Sequence, residues 1–83
     1  MDVILKLMKT QRFRILIEHD TAAKSWVTYV PALDNISTFG ATREEAIENT
    51  RELIQGYYEA AAKEGIAVDP QDPEAIELEV AVA

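Results

Sequence analysis

The single histidine, His19, stands between Glu18 and Asp20. An imidazole beside carboxylates is the residue set of a general base and its orienting acid. The stretch reads as the end of a strand, however, where neighbours point to opposite faces, and no nucleophile motif accompanies it. His19 is therefore expected to be structural or solvent-facing. Glu18 and Asp20 lie two apart and share a face, as metal-holding carboxylates do, but a site would need a third acid such as Asp34. Ser25, Ser37 and the threonines lack the context of a nucleophile elbow. Gly40, Gly56 and Gly65 are too scattered for a phosphate loop. Trp26, Tyr29, Phe39, Tyr57 and Tyr58 could stack on single-stranded bases, but stacking platforms work in a basic groove. The aromatic residues are expected in the core or at an interface. No catalytic site, metal site or cofactor is expected.

The 83 residues carry a net charge of −7, unevenly placed. Lys6, Lys9, Arg12 and Arg14 face only Asp2 in residues 1–14, a balance of +3. The remainder sets Lys24, Arg43, Arg51 and Lys63 against fourteen acids, a balance of −10. Such a body is poorly suited to neutralising phosphates and attracts basic partners instead. The absence of cysteine removes disulfides and thiolate chemistry and fits a reducing, cytoplasmic setting. No apolar run approaches the ~20 residues of a membrane span, and the N-terminal "MDVILKLMK" is expected to be mature structure rather than a signal peptide.

Residues of these types need elements to position them. Residues 1–83 are expected to form one domain, with about 60–65% of the chain's surface buried. "RFRILIEHD" alternates, with Phe13, Ile15 and Ile17 on one side; "SWVTYVP" and "ISTFG" follow after short polar turns, giving an antiparallel meander. Thr42 and Glu45 make a capping box, in which Thr42 caps the helix and Glu45 reaches back to the Thr42 N–H. The helix is expected from about Arg43 to Glu64, with Ala46, Ile47, Thr50, Leu53, Ile54, Tyr57 and Ala61 on its apolar stripe. Gly56 interrupts it, read as a close-packing site, and Gly65 supplies the left-handed stop. After a proline-punctuated acidic loop, Ile76, Leu78, Val80 and Val82 alternate with Glu77 and Glu79 as a half-buried last strand. The class is α+β in two layers, β-β-β-α-β, with an extra N-terminal strand in the apolar segment Val3–Met8. The expected core is Phe13, Ile15, Ile17, Ile47, Leu53, Ile54 and Leu78.

Residues 12–66 resemble the HicB family of antitoxins and their stand-alone relatives. The resemblance rests on an ordered set: Asp20, Trp26, Val30-Pro31-Ala32-Leu33, Gly40, Thr42, Glu45-Ala46, Asn49 and Glu64-Gly65. Residues 1–11 extend the pattern at one end, and residues 67–83 follow it as the acidic loop and last strand. The chain departs from many relatives at Asp34-Asn35, where Pro-Gly is common. The resemblance implies a partial ribonuclease-H-like fold without nuclease activity, which masks a small basic HicA-like messenger-cleaving toxin. Pro31, Leu33, Gly40, Thr42, Glu45, Ala46 and Gly65 then serve structure, while Glu18, Asp20, Asp34 and the exposed one of Trp26 and Tyr29 meet the partner. Many members append a DNA-binding segment; the residues after Gly65 do not read as one, so no direct DNA binding is expected. A homo-oligomer, dimer or higher, is expected through the N-terminal segment or a strand edge. Two other readings stand beside this one: an orphan homo-oligomeric structural or ligand-binding module, and a minimal metal-dependent nuclease using Glu18, Asp20 and a third acid.

Overall fold

The computed structural model describes residues 10–83. Three strands and one helix form an α+β unit: β1 (Leu16–Asp20), β2 (Ser25–Val30), β3 (Ile36–Gly40) and α1 (Arg43–Lys63). The sheet order is β1-β2-β3, antiparallel throughout. Four residues turn the chain between β1 and β2, where Asp20 Oδ1 accepts the Ala23 N–H at 3.1 Å and Lys24 takes a left-handed φ of 54°. A 3-10 helix, Pro31–Leu33, leads to a turn at Asp34 and Asn35, both left-handed. Aspartate and asparagine tolerate that conformation better than most residues, so this turn forms without a glycine.

The strand pairing sorts every side chain to a face. Leu16, Tyr29 and Ser37 lie abreast, as do Glu18, Val27 and Phe39. The opposite face carries Ile17, Thr28 and Thr38 in one row and His19, Trp26 and Gly40 in the next. Helix α1 covers this second face, packing on β3 and β2 rather than on β1.

Thr42 caps α1 as expected, its hydroxyl accepting the Glu45 N–H at 3.0 Å. Glu45 reaches back one residue further than a capping box predicts, accepting the Ala41 N–H at 3.3 Å. At the far end Gly65 has φ 69°, Gly65 N–H donates to Ala62 at 3.2 Å and Ile66 N–H donates to Ala61 at 2.8 Å. That pair of bonds is the Schellman stop, and it satisfies carbonyls the helix would otherwise leave open.

The core is smaller than the pattern suggested and part of it is polar. Among the described residues Val30, Leu33 and Ala46 are the buried apolar side chains, with Thr28 and Thr50 beside them. Phe13, Ile15, Ile17, Ile47, Leu53 and Ile54 are only half-buried, because one helix cannot span three strands. Leu78 is in solvent, a correction to the expected core. Gly56 is also corrected: it is exposed, and nothing lies within 4 Å of where a Cβ would project, so packing does not require it.

The two buried threonines form a directed chain. Thr50 Oγ1 donates to the Ala46 carbonyl at 2.7 Å, so its oxygen accepts from the Thr28 hydroxyl across the helix–sheet interface. The only other acceptor near Thr28 Oγ1 among the described residues is the Thr38 carbonyl, at 3.5 Å. Thr50→Val should therefore cost about 1–2 kcal/mol, because it strands the Thr28 hydroxyl. Thr28→Val should cost less than about 1 kcal/mol, since Thr50 keeps Ala46. Urea unfolding of the two variants checks the order, and equal losses would contradict it.

Residues 66–83 form neither helix nor strand. The expected last strand over Ile76–Val82 is unpaired here, since alternation supplies a strand's pattern but not its hydrogen-bonding neighbour. The expected strand or oligomer contact at Val3–Met8 lies outside the described residues.

Candidate interaction surface

Among the described residues no element covers the sheet face away from α1. Leu16 is 51% exposed and Phe39 66% exposed, flanking half-buried Val27 and Tyr29. Glu18, between Leu16 and Asp20 in β1, is paired with Val27 and exposed. Ala23, Ser25, Val27, Ser37 and Phe39 line a shallow depression there. A meander exposes one face unless a second layer covers it, and here the uncovered face is apolar at its centre with acids on the β1 side.

The expected partner residues divide between surfaces. Glu18, Asp20 and Tyr29 come together on the open face. Asp20 also closes the turn through Ala23, so one of its oxygens is already engaged. Trp26 projects to the other face and stacks on His19, with ring centroids 4.5 Å apart and planes 18° from parallel. His19 is thus a stacking partner in a cross-strand pair. Of Trp26 and Tyr29, Tyr29 is the one on the open face, beside the more exposed Phe39. Asp34 lies at the other end of β2, in the turn after the 3-10 helix.

The sequence reading missed a second concavity, a cleft of about 380 Å³ between the 3-10 helix and the end of α1. Leu33, Tyr57 and Ala61 floor it, while Asp34, Glu64 and Asp69 stand at its rim. Its rim is acidic and the nearby helix C-terminus adds negative potential, an environment that suits a basic side chain. Asp34 therefore belongs with this cleft and not with Glu18. The signal available in the sequence was the Schellman stop, which turns the chain back toward Leu33; the Gln71 N–H then donates to the Ala32 carbonyl at 3.1 Å.

Tyr58 packs edge-on against Phe13 and Tyr57, and its hydroxyl lies 3.3 Å from Gln11 Oε1. Desolvation, with a smaller contribution from Tyr57, raises its phenol above the usual tyrosine range. Among the described residues no group of three or more histidines and carboxylates converges as metal ligands do. No helix among them is long and apolar enough to cross a membrane. No family model, curated protein or solved structure matches this chain.

Proposed function

We propose that this chain is a non-catalytic, cytoplasmic, HicB-like interaction module that binds and masks a small basic ribonuclease toxin of the HicA type. The observation that carries the reading is the open sheet face: Leu16 and Phe39 in solvent around Tyr29, beside Glu18 and Asp20, on a chain of net charge −7. A basic protein laid on that face would bury its apolar centre and meet carboxylates at its rim, the arrangement of a protein interface. The ordered motif from Asp20 to Gly65 supports the same reading by resemblance. It implies a partial ribonuclease-H-like fold. Direct DNA binding is not part of the proposal: the residues after Gly65 are acidic and form no helix to enter a groove.

The module also associates with itself. Four apolar side chains of its last segment stand in solvent, and a domain with so small a core gains stability by covering them. That observation equally supports the second reading, an orphan homo-oligomeric module with no toxin.

Binding kinetics separate them. Glu18→Lys should slow association with a basic partner by about tenfold at low salt and change dissociation little, because rim charge steers encounter. Tyr29→Ala should instead speed dissociation by about tenfold or more, as loss of an aromatic anchor does. The measurement is surface-immobilised binding to small basic proteins encoded beside this chain, with rescue of growth on co-expression. Failure to recover any basic partner, with growth never restored, would leave the orphan module as the better account.

A further inference from the structure

The segment Ile76–Val82 has the period of a strand and no pairing partner among the described residues. Leu78 is 78% and Val80 67% exposed, Ile76 and Val82 are similarly placed, and Glu77 and Glu79 alternate with them. An isolated strand of this kind leaves an apolar stripe in water and its backbone groups without partners.

The sheet offers two outer edges, and they differ. At β3 the Asn49 side-chain amide donates to the Phe39 carbonyl at 2.8 Å, so α1 already occupies part of that edge. Edges closed in this way resist strand addition. Nothing comparable caps β1 among the described residues. Helix α1 also stops short of β1, leaving Ile15, Ile17 and Trp26 half-buried on the helix side. The apolar stripe of an added strand would continue that side, alongside Ile17. Charge points the same way: Arg12 and Arg14, exposed just before β1, have no carboxylate within 4 Å among the described residues. Glu77 and Glu79 would be their counterparts.

We infer that Ile76–Val82 of one copy adds as an edge strand to β1 of a second copy, and receives that copy's segment in return. In the single chain the segment does not lie on its own sheet. After the Gln71 contact with Ala32, residues 72–83 are all exposed and in neither helix nor strand. A two-fold exchange closes on itself, buries the apolar stripe twice and consumes the open β1 edge of both copies. The inference rests on the self-association proposed above and is independent of the toxin.

The full-length chain with Leu78→Asp and Val80→Asp tests it, because both positions are in solvent in the single chain and the changes leave its fold alone. Sedimentation equilibrium at tens of micromolar should show a dimer for the unmodified protein and at least a hundredfold weaker association, roughly two decades in Kd, for the double variant. Glu77→Gln with Glu79→Gln, on the opposite face, should weaken it by less than about tenfold. In an equimolar mixture of differently isotope-labelled copies, nuclear Overhauser contacts should link residues 76–82 of one copy to residues 16–20 of the other. A dimer that survives Leu78→Asp and Val80→Asp overturns the inference. So does a monomer, or a sample in which those contacts arise only within one chain. A monomer that still neutralised a basic ribonuclease would overturn the exchange and leave the interaction reading intact.

Discussion

Replacing Leu33 with alanine should remove about 2–4 kcal/mol of stability, the cost of deleting a buried leucine and leaving a partly unfilled space. Leu33 is 2% exposed and, among the described residues, is one of three buried apolar side chains, with Val30 and Ala46. It is held in the 3-10 helix that joins β2 to β3, on the floor of the acidic cleft with Tyr57 and Ala61. A domain of this size has roughly 4–12 kcal/mol in total, so the change removes a large share. The melting temperature should fall by about ten degrees or more. A loss below about 1 kcal/mol in denaturant unfolding would show that the half-buried ring of Phe13, Ile17, Leu53 and Ile54 holds the fold without Leu33.

Gly40→Ala should be the second most damaging small change, at about 1–3 kcal/mol. A Cβ at Gly40 would stand 2.5 Å from the Ala46 backbone nitrogen and 2.9 Å from both Ala46 Cα and the Glu45 carbonyl carbon. All three are backbone atoms in the first turn of α1, so no side chain can swing aside. Only Ala41 and Thr42 separate the strand from the helix, which leaves little slack to absorb a shift. Gly56→Ala makes the internal control: the space there is open, and alanine should stabilise the helix by about 0.5–1 kcal/mol. Thermal unfolding of the two variants should move in opposite directions. A neutral Gly40→Ala would mean that the strand–helix joint is looser than these distances require.

The contrast between the two glycines marks how far the sequence could be read. The helix start was legible because Thr42 and Glu45 carry their own local chemistry, and the stop because Gly65 needs a positive φ. The three strands were legible from alternation and turn residues. Their shared face was not, since Leu16, Val27 and Phe39 on one side are as apolar as Ile17, Val30 and Ile36 on the other. Only the pairing register and the helix decide which row is covered. Thr28 shows the same limit: a hydroxyl on a strand looks solvent-facing until Thr50 arrives from α1 to accept its proton. At the candidate surface, Glu18 and Asp20 fell on one face by simple period, but Trp26 and Tyr29, three apart, necessarily fell on different ones. Asp34 was drawn away from both by the turn that carries it. The cleft it lines depends on the chain folding back after Gly65, a long-range event with no periodic signature.

The order β1-β2-β3 with α1 laid on the last two strands has a consequence for how the chain reaches this state. Each pairing joins elements adjacent in sequence: β1 meets β2 across four residues, β2 meets β3 across five, and α1 returns to β3 after two. The entropy lost in closing such short loops is small, and topologies dominated by local contacts cross their folding barrier quickly. During synthesis the meander can pair as soon as Gly40 has emerged, and α1 can settle while Ile76–Val82 is still to come. The final segment is therefore free of any part in assembling the domain, and its apolar stripe remains available after the rest has become native.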